Sequence, residues 1–370
     1  GMEMPLVTKD ANTRRWDGDP GIDFGGVISD SPIHHGFDTY FGVSASLDKA
    51  PYVYIRNDRF NQLPTLQQPA VSFPHFVRKG PRSKEFVIAD VLDRLTQEAV
   101  SVIKRCSEQK DKPFFLYLPL TGPHKPTQPH ERFRGKTELG EYGDFVHQVD
   151  WTVGEVLRAI DESGVRDNTL VVYTSDNGSY MFTSDDSIEA DHTDTDRQQR
   201  FRRSAHKANG EFRGTKADIY EAGHHVPLFA RWPGQIAGGS KCDKTVCHTD
   251  WFATFAEILG EELADGTAED SYSLLAMLKG DENAKRGAPV IHHSVNGSFA
   301  IRDGRLKMIA SNGSGGREKP KGEPFGKPYQ LYDMVSDVSE SKDLASDSEK
   351  EVERLSETLD EMRGALEAAK

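Results

Sequence analysis

Residues 170–178 read Leu170-Val171-Val172-Tyr173-Thr174-Ser175-Asp176-Asn177-Gly178, an apolar, β-branched run that gives way at once to turn-forming polar residues. A short run of this kind suits a strand covered on both faces. Upstream, Phe114-Phe115-Leu116-Tyr117-Leu118 follows Pro113 and predicts a second such strand. Between the two, Val146, Val149, Val153, Val156, Leu157 and Ile160 recur at helical spacing, closed near Gly164. Strand, helix and strand in that order predict a right-handed crossover in a parallel sheet. Val87, Val91, Leu92, Leu95, Ala99, Val102 and Ile103 predict an earlier amphipathic helix over 85–106. Val226-Pro227-Leu228-Phe229-Ala230 predicts a third strand, and Asp250–Leu259 a helix stopped by Gly260. The expected fold class is therefore α/β, a mostly parallel sheet flanked by helices, over residues 1–284.

The pattern changes past about residue 285. Val290–His293, Ser298–Arg302 and Leu306–Ile309 alternate as short strands, and Asp303-Gly304 between two of them is a hairpin signal. Gln330-Leu331-Tyr332 adds a fourth strand. Val352, Leu355, Leu359, Met362 and Leu366 step by helical spacing, so a long terminal helix can lie on that sheet. Residues 285–370 are thus expected as a smaller α+β unit with an antiparallel sheet. The first 80 or so residues read as irregular, and 183–209 as a long exposed loop.

Composition limits the function classes. Charged residues make up 28% and aromatics 9%, which excludes wholesale disorder. A formal net charge of -13 argues against nonspecific nucleic-acid binding. No apolar run approaches the roughly 18 residues that a membrane span needs. Cys106, Cys242 and Cys247 are too few and too scattered for a disulfide framework or a zinc cluster, though Cys242 and Cys247 are near enough in sequence to pair.

Ligands of parallel α/β sheets collect beyond the carboxyl ends of the strands, so a site is to be sought in the residues just past each strand. After the first comes Thr121-Gly122-Pro123-His124, and after the second Ser175-Asp176-Asn177-Gly178. Asp176 and Asn177 offer a carboxylate and an amide oxygen, hard ligands for calcium or magnesium, but two oxygens cannot fill a calcium shell. Asp-Asn-Gly is equally turn chemistry in its own right. Asn177 also heads a glycosylation pattern, with Asn296 and Asn312 the freer acceptors. His124 suits a proton donor or anion ligand, or a structural histidine. Lys216, in Phe212-Arg213-Gly214-Thr215-Lys216-Ala217, can clamp an oxyanion or simply be solvated. His206, Lys207 and Asn209 are weaker signals of the same sort. Asp191, His192, Asp194 and Asp196 lack calcium-loop spacing and read as a solvated acidic stretch.

The order of these segments resembles one family. Pro113–Pro119 through Gly122-Pro123-His124-Lys125-Pro126 resembles the sulfatase segment that ends in an active-site histidine. Thr174-Ser175-Asp176-Asn177-Gly178 is similar to the family's second metal-ligand pair. Arg213-Gly214-Thr215-Lys216, with Tyr220-Glu221-Ala222-Gly223 and Val226-Pro227, resembles the block carrying its active-site lysine. His35-Gly36-Phe37-Asp38, Tyr40-Phe41-Gly42 and Gln330-Leu331-Tyr332-Asp333 match flanking signatures. The resemblance implies an alkaline-phosphatase-like fold and an arylsulfatase-like sulfuric ester hydrolase. It assigns Asp176 and Asn177 to one Ca2+ ion (Mg2+ second to it). It assigns Lys216 and His124, with His206 beside them, to the sulfate ester.

The family's nucleophile is a formylglycine made from the cysteine of a Cys-X-Pro/Ala-X-Arg motif, and none of the three cysteines leads such a motif. The paired aspartates that complete the metal site and a Gly-Lys-Trp-His-Leu-Gly block have no counterpart either. The resemblance therefore implies a chain lacking its N-terminal portion, exported to the periplasm or outside the cell, and acting on a sulfate ester such as a sulfated polysaccharide. Two other readings stay open: a phosphomonoester or phosphonate hydrolase of the same superfold, and an inactive fragment that binds sulfated glycans.

Overall fold

The structure, a computed structural model, describes residues 22–72, 75–184, 192–195, 198–202 and 206–368. The stretch expected as irregular makes short antiparallel pairs. β1 (Phe41–Gly42) and β3 (Arg59–Phe60) flank β2 (Ile55–Arg56), and β4 (Leu66–Gln68) pairs with β5 (Gly80–Arg82). Strands this short carry no readable periodicity. A cluster of Leu47, Tyr52, Tyr54, Val77, Phe86, Val91 and Leu95 buries their apolar side chains, with the Tyr54 and Phe86 rings 4.8 Å apart.

The helix expected from residue 85 begins later. Ile88–Asp90 form a 3-10 turn and α1 runs Val91–Ser107. Val87 is 44% exposed, so the first member of the apolar stripe is not on the buried face. The second helix, α2 (Gly140–Glu162), is followed by Gly164 at φ +69°, a left-handed stop that glycine adopts without strain. Between α1 and α2, Thr96 Oγ1 meets Thr152 Oγ1 at 3.0 Å, and Asp93 accepts from Gln148 Nε2 at 2.9 Å and from Arg132. The Arg132 guanidinium also lies over the Trp151 ring at 4.3 Å. The chain falls in two compact units, one of residues 1–166 with 186–202 and the other of residues 167–185 with 203–370, and all of the foregoing belongs to the first.

The crossover pairs differently from expectation. Residues 114–118 form no strand: Phe115 and Tyr117 are 63% and 65% exposed, alternating with half-buried neighbours. β6 (Val171–Thr174) is a strand as expected, followed by β7 (Phe182–Ser184). Within the stretch expected as loop, β8 (His192–Thr195) and β9 (Gln198–Arg202) form an antiparallel hairpin. Asp191 and Asp196 lie outside the described residues, as do the side chains of His192 and Asp194. A short helix, α3 (Glu221–His224), precedes β10 (Leu228–Arg231). β10 pairs antiparallel with β6, Val171 opposite Arg231 and Thr174 opposite Leu228. An apolar run commits its side chains to packing. The direction of pairing depends on the neighbour, and the run does not encode that.

The second unit ends as the sequence predicts. α4 (Asp250–Leu259) stops at Gly260, φ +71°, and is followed by the short α5 (Leu275–Leu278). β11 (Val290–His293), β12 (Phe299–Asp303), β13 (Leu306–Ile309) and β14 (Gln330–Asp333) form an antiparallel sheet in sequence order. Alternation sorts its residues by face. Ala300, Ile309 and Tyr332 pack with Ile219 and Tyr220, while Ile301, Met308 and Leu331 pack with Leu355 and Leu359 of the terminal helix α6 (Glu349–Ala368). All three cysteines are free thiols, and no helix among the described residues is long and apolar enough to cross a membrane.

Leu359 is 1% exposed in that helix-to-sheet layer. Leu359→Ala is expected to destabilise the second unit by about 2–5 kcal/mol through lost burial and the cavity left behind. A denaturant-unfolding midpoint unchanged from the parent chain would contradict this packing.

Candidate active site

β6 ends by delivering Ser175-Asp176-Asn177-Gly178 into a tight turn, closed by Ser175 Oγ donating to Asn177 O at 3.0 Å. Asp176 is exposed and Asn177 half-buried. The next residue has to be glycine. Gly178 N donates to Gly223 O at 3.1 Å, and a Cβ on Gly178 would overlap Ala222 O of α3. Ser179 then joins three segments. Its N donates to Asn209 Oδ1 at 2.8 Å, and its O accepts from Asn209 Nδ2 at 3.0 Å and from Lys216 N at 3.0 Å. The Asp-Asn turn and the lysine loop are thereby laced together by main chain, within the second unit.

Lys216, half-buried, lies in a loop that doubles back on itself. Gly214 and Ala217 have φ of +84° and +83°. Asp218, without exposed surface, accepts from Thr215 N at 2.8 Å and Thr215 Oγ1 at 3.3 Å. His206 is half-buried and burial lowers its pKa. Lys207 is ion-paired with Glu211.

Behind the lysine loop lies a buried ionic cluster. Lys307 of β13 has no exposed surface, and its ammonium is 3.2 Å from Glu221 Oε2 and 2.8 Å from Glu340 Oε1. Glu340 Oε2 accepts from Glu221 N at 2.7 Å. Burial works to raise the Glu221 pKa, but the hydrogen bond from His225 and the charges of Lys307 and Arg302 outweigh it and hold that carboxyl well below the usual range. Burial pushes Glu340 up, against the pull of Lys307. The His224 and His292 rings are 4.1 Å apart. Burial, then Lys307, lowers His224 to about 4, and burial drives His292 well below its ordinary value.

His124 belongs to the first unit and is described there alone. Its loop lies against α2, where a Cβ on Gly122 would come 2.8 Å from Val149 Cγ2. His124 Nδ1 is 2.6 Å from Lys125 O. A carbonyl only accepts, so Nδ1 carries the hydrogen.

The second unit thus brings Asp176, Asn177 and Lys216 onto adjoining turns through Asn209. Asp218 was missed in the sequence. An aspartate two residues past the lysine looks like any turn residue, and its partners Arg317 and Glu318 are remote in sequence. The two asparagines read as freer glycosylation acceptors are held inside turns: Asn296 Oδ1 accepts from Ser298 N at 3.0 Å, and Asn312 Oδ1 from Glu323 N at 3.0 Å.

The donor set at 176–177 fits a hard divalent cation in kind, with one carboxylate and one amide oxygen side by side. It falls short in number, since among the described residues no three His, Cys, Asp or Glu side chains gather to hold a metal.

In this α/β frame the Asp176-Asn177 turn and the glycine-bearing Lys216 loop adjoin through main-chain hydrogen bonding. The chain belongs to the sulfatase family, whose model, described as Sulfatase, matches residues 15–261. It is 30% identical to the N-acetylgalactosamine-6-O-sulfatase of Bacteroides thetaiotaomicron, over 93% of this chain and 71% of that protein. It is 28% identical to the N-acetylgalactosamine-6-sulfatase of Mus musculus, over 75% of this chain and 48% of that protein. A solved structure reported with the metabolism of multiple glycosaminoglycans by Bacteroides thetaiotaomicron superposes with a TM-score of 0.78 at 28% identity. That match covers 93% of this chain and 76% of the other.

The buried histidines set a pH dependence. An unfolded imidazole takes its proton near 6.5, roughly, whereas folded His224 takes one only near 4. Between those values the unfolded chain binds protons that the folded chain refuses, so stability falls as pH falls. Glu340 opposes this, because its carboxyl is protonated sooner when folded. With two histidines against one carboxyl, the denaturant midpoint is expected to be lower at pH 5 than at pH 7. Replacing His224 and His292 by Gln should flatten the difference, and an equal drop in that variant would contradict the assignment.

Proposed function

We propose that this chain carries the metal-binding, anion-clamping and proton-donating parts of a hydrolase for sulfate monoesters of glycans. The observation that supports it best is the Lys216 N to Ser179 O hydrogen bond of 3.0 Å, which ties the lysine loop to the Asp176-Asn177 turn. Breaking an S–O ester bond needs positive charge beside oxygens that gain negative charge and a proton for the departing alkoxide. Lys216 supplies fixed positive charge. Asp176 and Asn177 would hold a calcium ion, with further oxygens completing its shell; when bound, the ion adds a second positive charge at the sulfate. His124 keeps Nδ1–H on Lys125 O, so in the imidazolium form Nε2 would carry the second proton and hand it to the alkoxide, leaving the neutral Nδ1–H ring.

The relatives named for N-acetylgalactosamine 6-sulfate support an O-sulfated hexosamine glycan as the first substrate to try. Export to a calcium-rich compartment belongs to the same proposal. No cysteine here leads a Cys-X-Pro/Ala-X-Arg motif, so the nucleophile, a formylglycine by family, is not among these residues.

The test uses the chain expressed with any coding sequence upstream of Gly1. N-Acetylgalactosamine 6-sulfate and an aryl sulfate should be hydrolysed in preference to an aryl phosphate, and Lys216→Ala should lower kcat/KM by about 10²–10³-fold. Preference for the phosphate ester would turn the reading toward a phosphomonoesterase. Binding of the sulfated glycan without turnover would turn it toward a non-catalytic protein.

The 370-residue chain by itself is expected to hydrolyse no sulfate ester. Turnover that disappears in Lys216→Ala would refute this.

A further inference from the structure

We propose that Asp218 is the positioning residue for Lys216, holding the lysine's loop against two turns of the C-terminal sheet. The inference rests on the reading of Lys216 as the sulfate clamp.

The loop does not hold its shape by local preference. Ala217, next to Lys216, has φ +83°, a left-handed conformation that is strained for an alanine and persists only where the surroundings over-determine it. Asp218 supplies much of that determination. Neither of its carboxylate oxygens is left over. Oδ2 accepts from Thr215 N at 2.8 Å and Thr215 Oγ1 at 3.3 Å, on the far side of Lys216, so the side chain spans the lysine and closes the loop. Oδ1 accepts from Glu318 N at 3.0 Å and from Arg317 N, in the turn between β13 and β14. The Asp218 main chain makes the same closure, N donating to Thr215 O at 3.0 Å.

The neighbouring residues are gripped from the same side. Val295 N donates to Ala217 O at 3.1 Å, and Ile219 N donates to Ser314 O at 2.7 Å. Gly316 approaches so closely that a Cβ on it would overlap Ala217 O. The loop is therefore pressed between the β11–β12 turn and the 314–318 turn, with the Asp218 carboxylate as the side-chain link. The lysine side chain leaves a backbone whose conformation is set from both flanks. On the opposite side Lys216 N is spent on Ser179 O, so a shift of the loop also moves the Asp176-Asn177 turn.

Asp218→Asn tests this in the chain expressed with any upstream coding sequence. The substitution keeps the size but turns an amide NH2 toward N–H donors on one side. The expected result is a fall in kcat of about 10²-fold, the scale of a displacement near 1 Å, with a smaller change in KM and a cooperative thermal transition retained. The decisive measurement is the double variant. If Asp218 acts through Lys216, Asp218→Asn adds nothing to the loss in Lys216→Ala, whereas a purely structural role makes the two losses multiply. Multiplying losses, or a kcat within about two-fold of the parent in Asp218→Asn, which is under 1 kcal/mol, would overturn the proposal. Full activity in Lys216→Ala would overturn the underlying reading of the lysine instead. Should Asp218→Asn not fold, Gly316→Ala presses on Ala217 O and Asp218 Oδ1 from the 314–318 turn. It should show the same kcat loss and the same lack of additivity, and additivity there would also overturn the proposal.

Discussion

The ammonium of Lys307 stands without solvent contact between two carboxylates, 2.8 Å from Glu340 and 3.2 Å from Glu221. Taking these charges out of water is costly, and their mutual attraction roughly offsets that cost only when the set is complete. Losing one partner would leave a buried charge uncompensated, at about 3–5 kcal/mol. The cluster is therefore better understood as a device for register than as a source of stability. It joins β13, the Glu340 turn and the start of α3 to one another. Glu340 itself holds φ +49°, a conformation tolerated here because its carboxylate is engaged by both Lys307 and the Glu221 amide.

From that junction the rest of the second unit's site is built by close approach. Glu221 opens α3, and its next two residues, Ala222 and Gly223, form the surface on which the Gly178 turn sits. Asp176 and Asn177 precede that turn, and Ser179, just beyond it, holds Asn209 and the lysine loop. The candidate ligands are on turns, which by themselves would be mobile, but each turn is fixed to an element whose position the buried charges determine. The C-terminal sheet thus has a role beyond covering apolar surface. One face takes Ile219 and Tyr220 from the lysine loop, and the other takes α6.

The histidines show the same economy of contacts. His224 and His292 are packed ring against ring beside Lys307, where a proton on either would add positive charge to a site that already holds one. Burial holds both below their ordinary values, and His224 Nε2 also donates to Asp218 O at 3.0 Å. His124 is different in kind, being half-buried on a loop with Nδ1 hydrogen-bonded to a carbonyl, which fixes where that hydrogen sits.

The sequence by itself determined the elements whose periodicity is local. These were α2 with its glycine stop, α4 ending at Gly260, the four C-terminal strands with their hairpin at Gly304, and the amphipathic helix laid on them. It also nominated Asp176, Asn177, His124 and Lys216 for the candidate site, because they stand in segments whose order resembles the family's. Pairing was decided only by the tertiary structure. Phe114–Leu118 has the composition of a buried strand, yet it forms no ladder, and β6 meets β10 antiparallel. A ladder needs a partner's hydrogen-bonding edge, and no property of the run itself specifies one. The same holds for Asp218 and Lys307. Each is an ordinary charged residue in sequence. Each acquires its role from partners about a hundred residues away or on another element, brought within hydrogen-bonding distance by packing that no local pattern records.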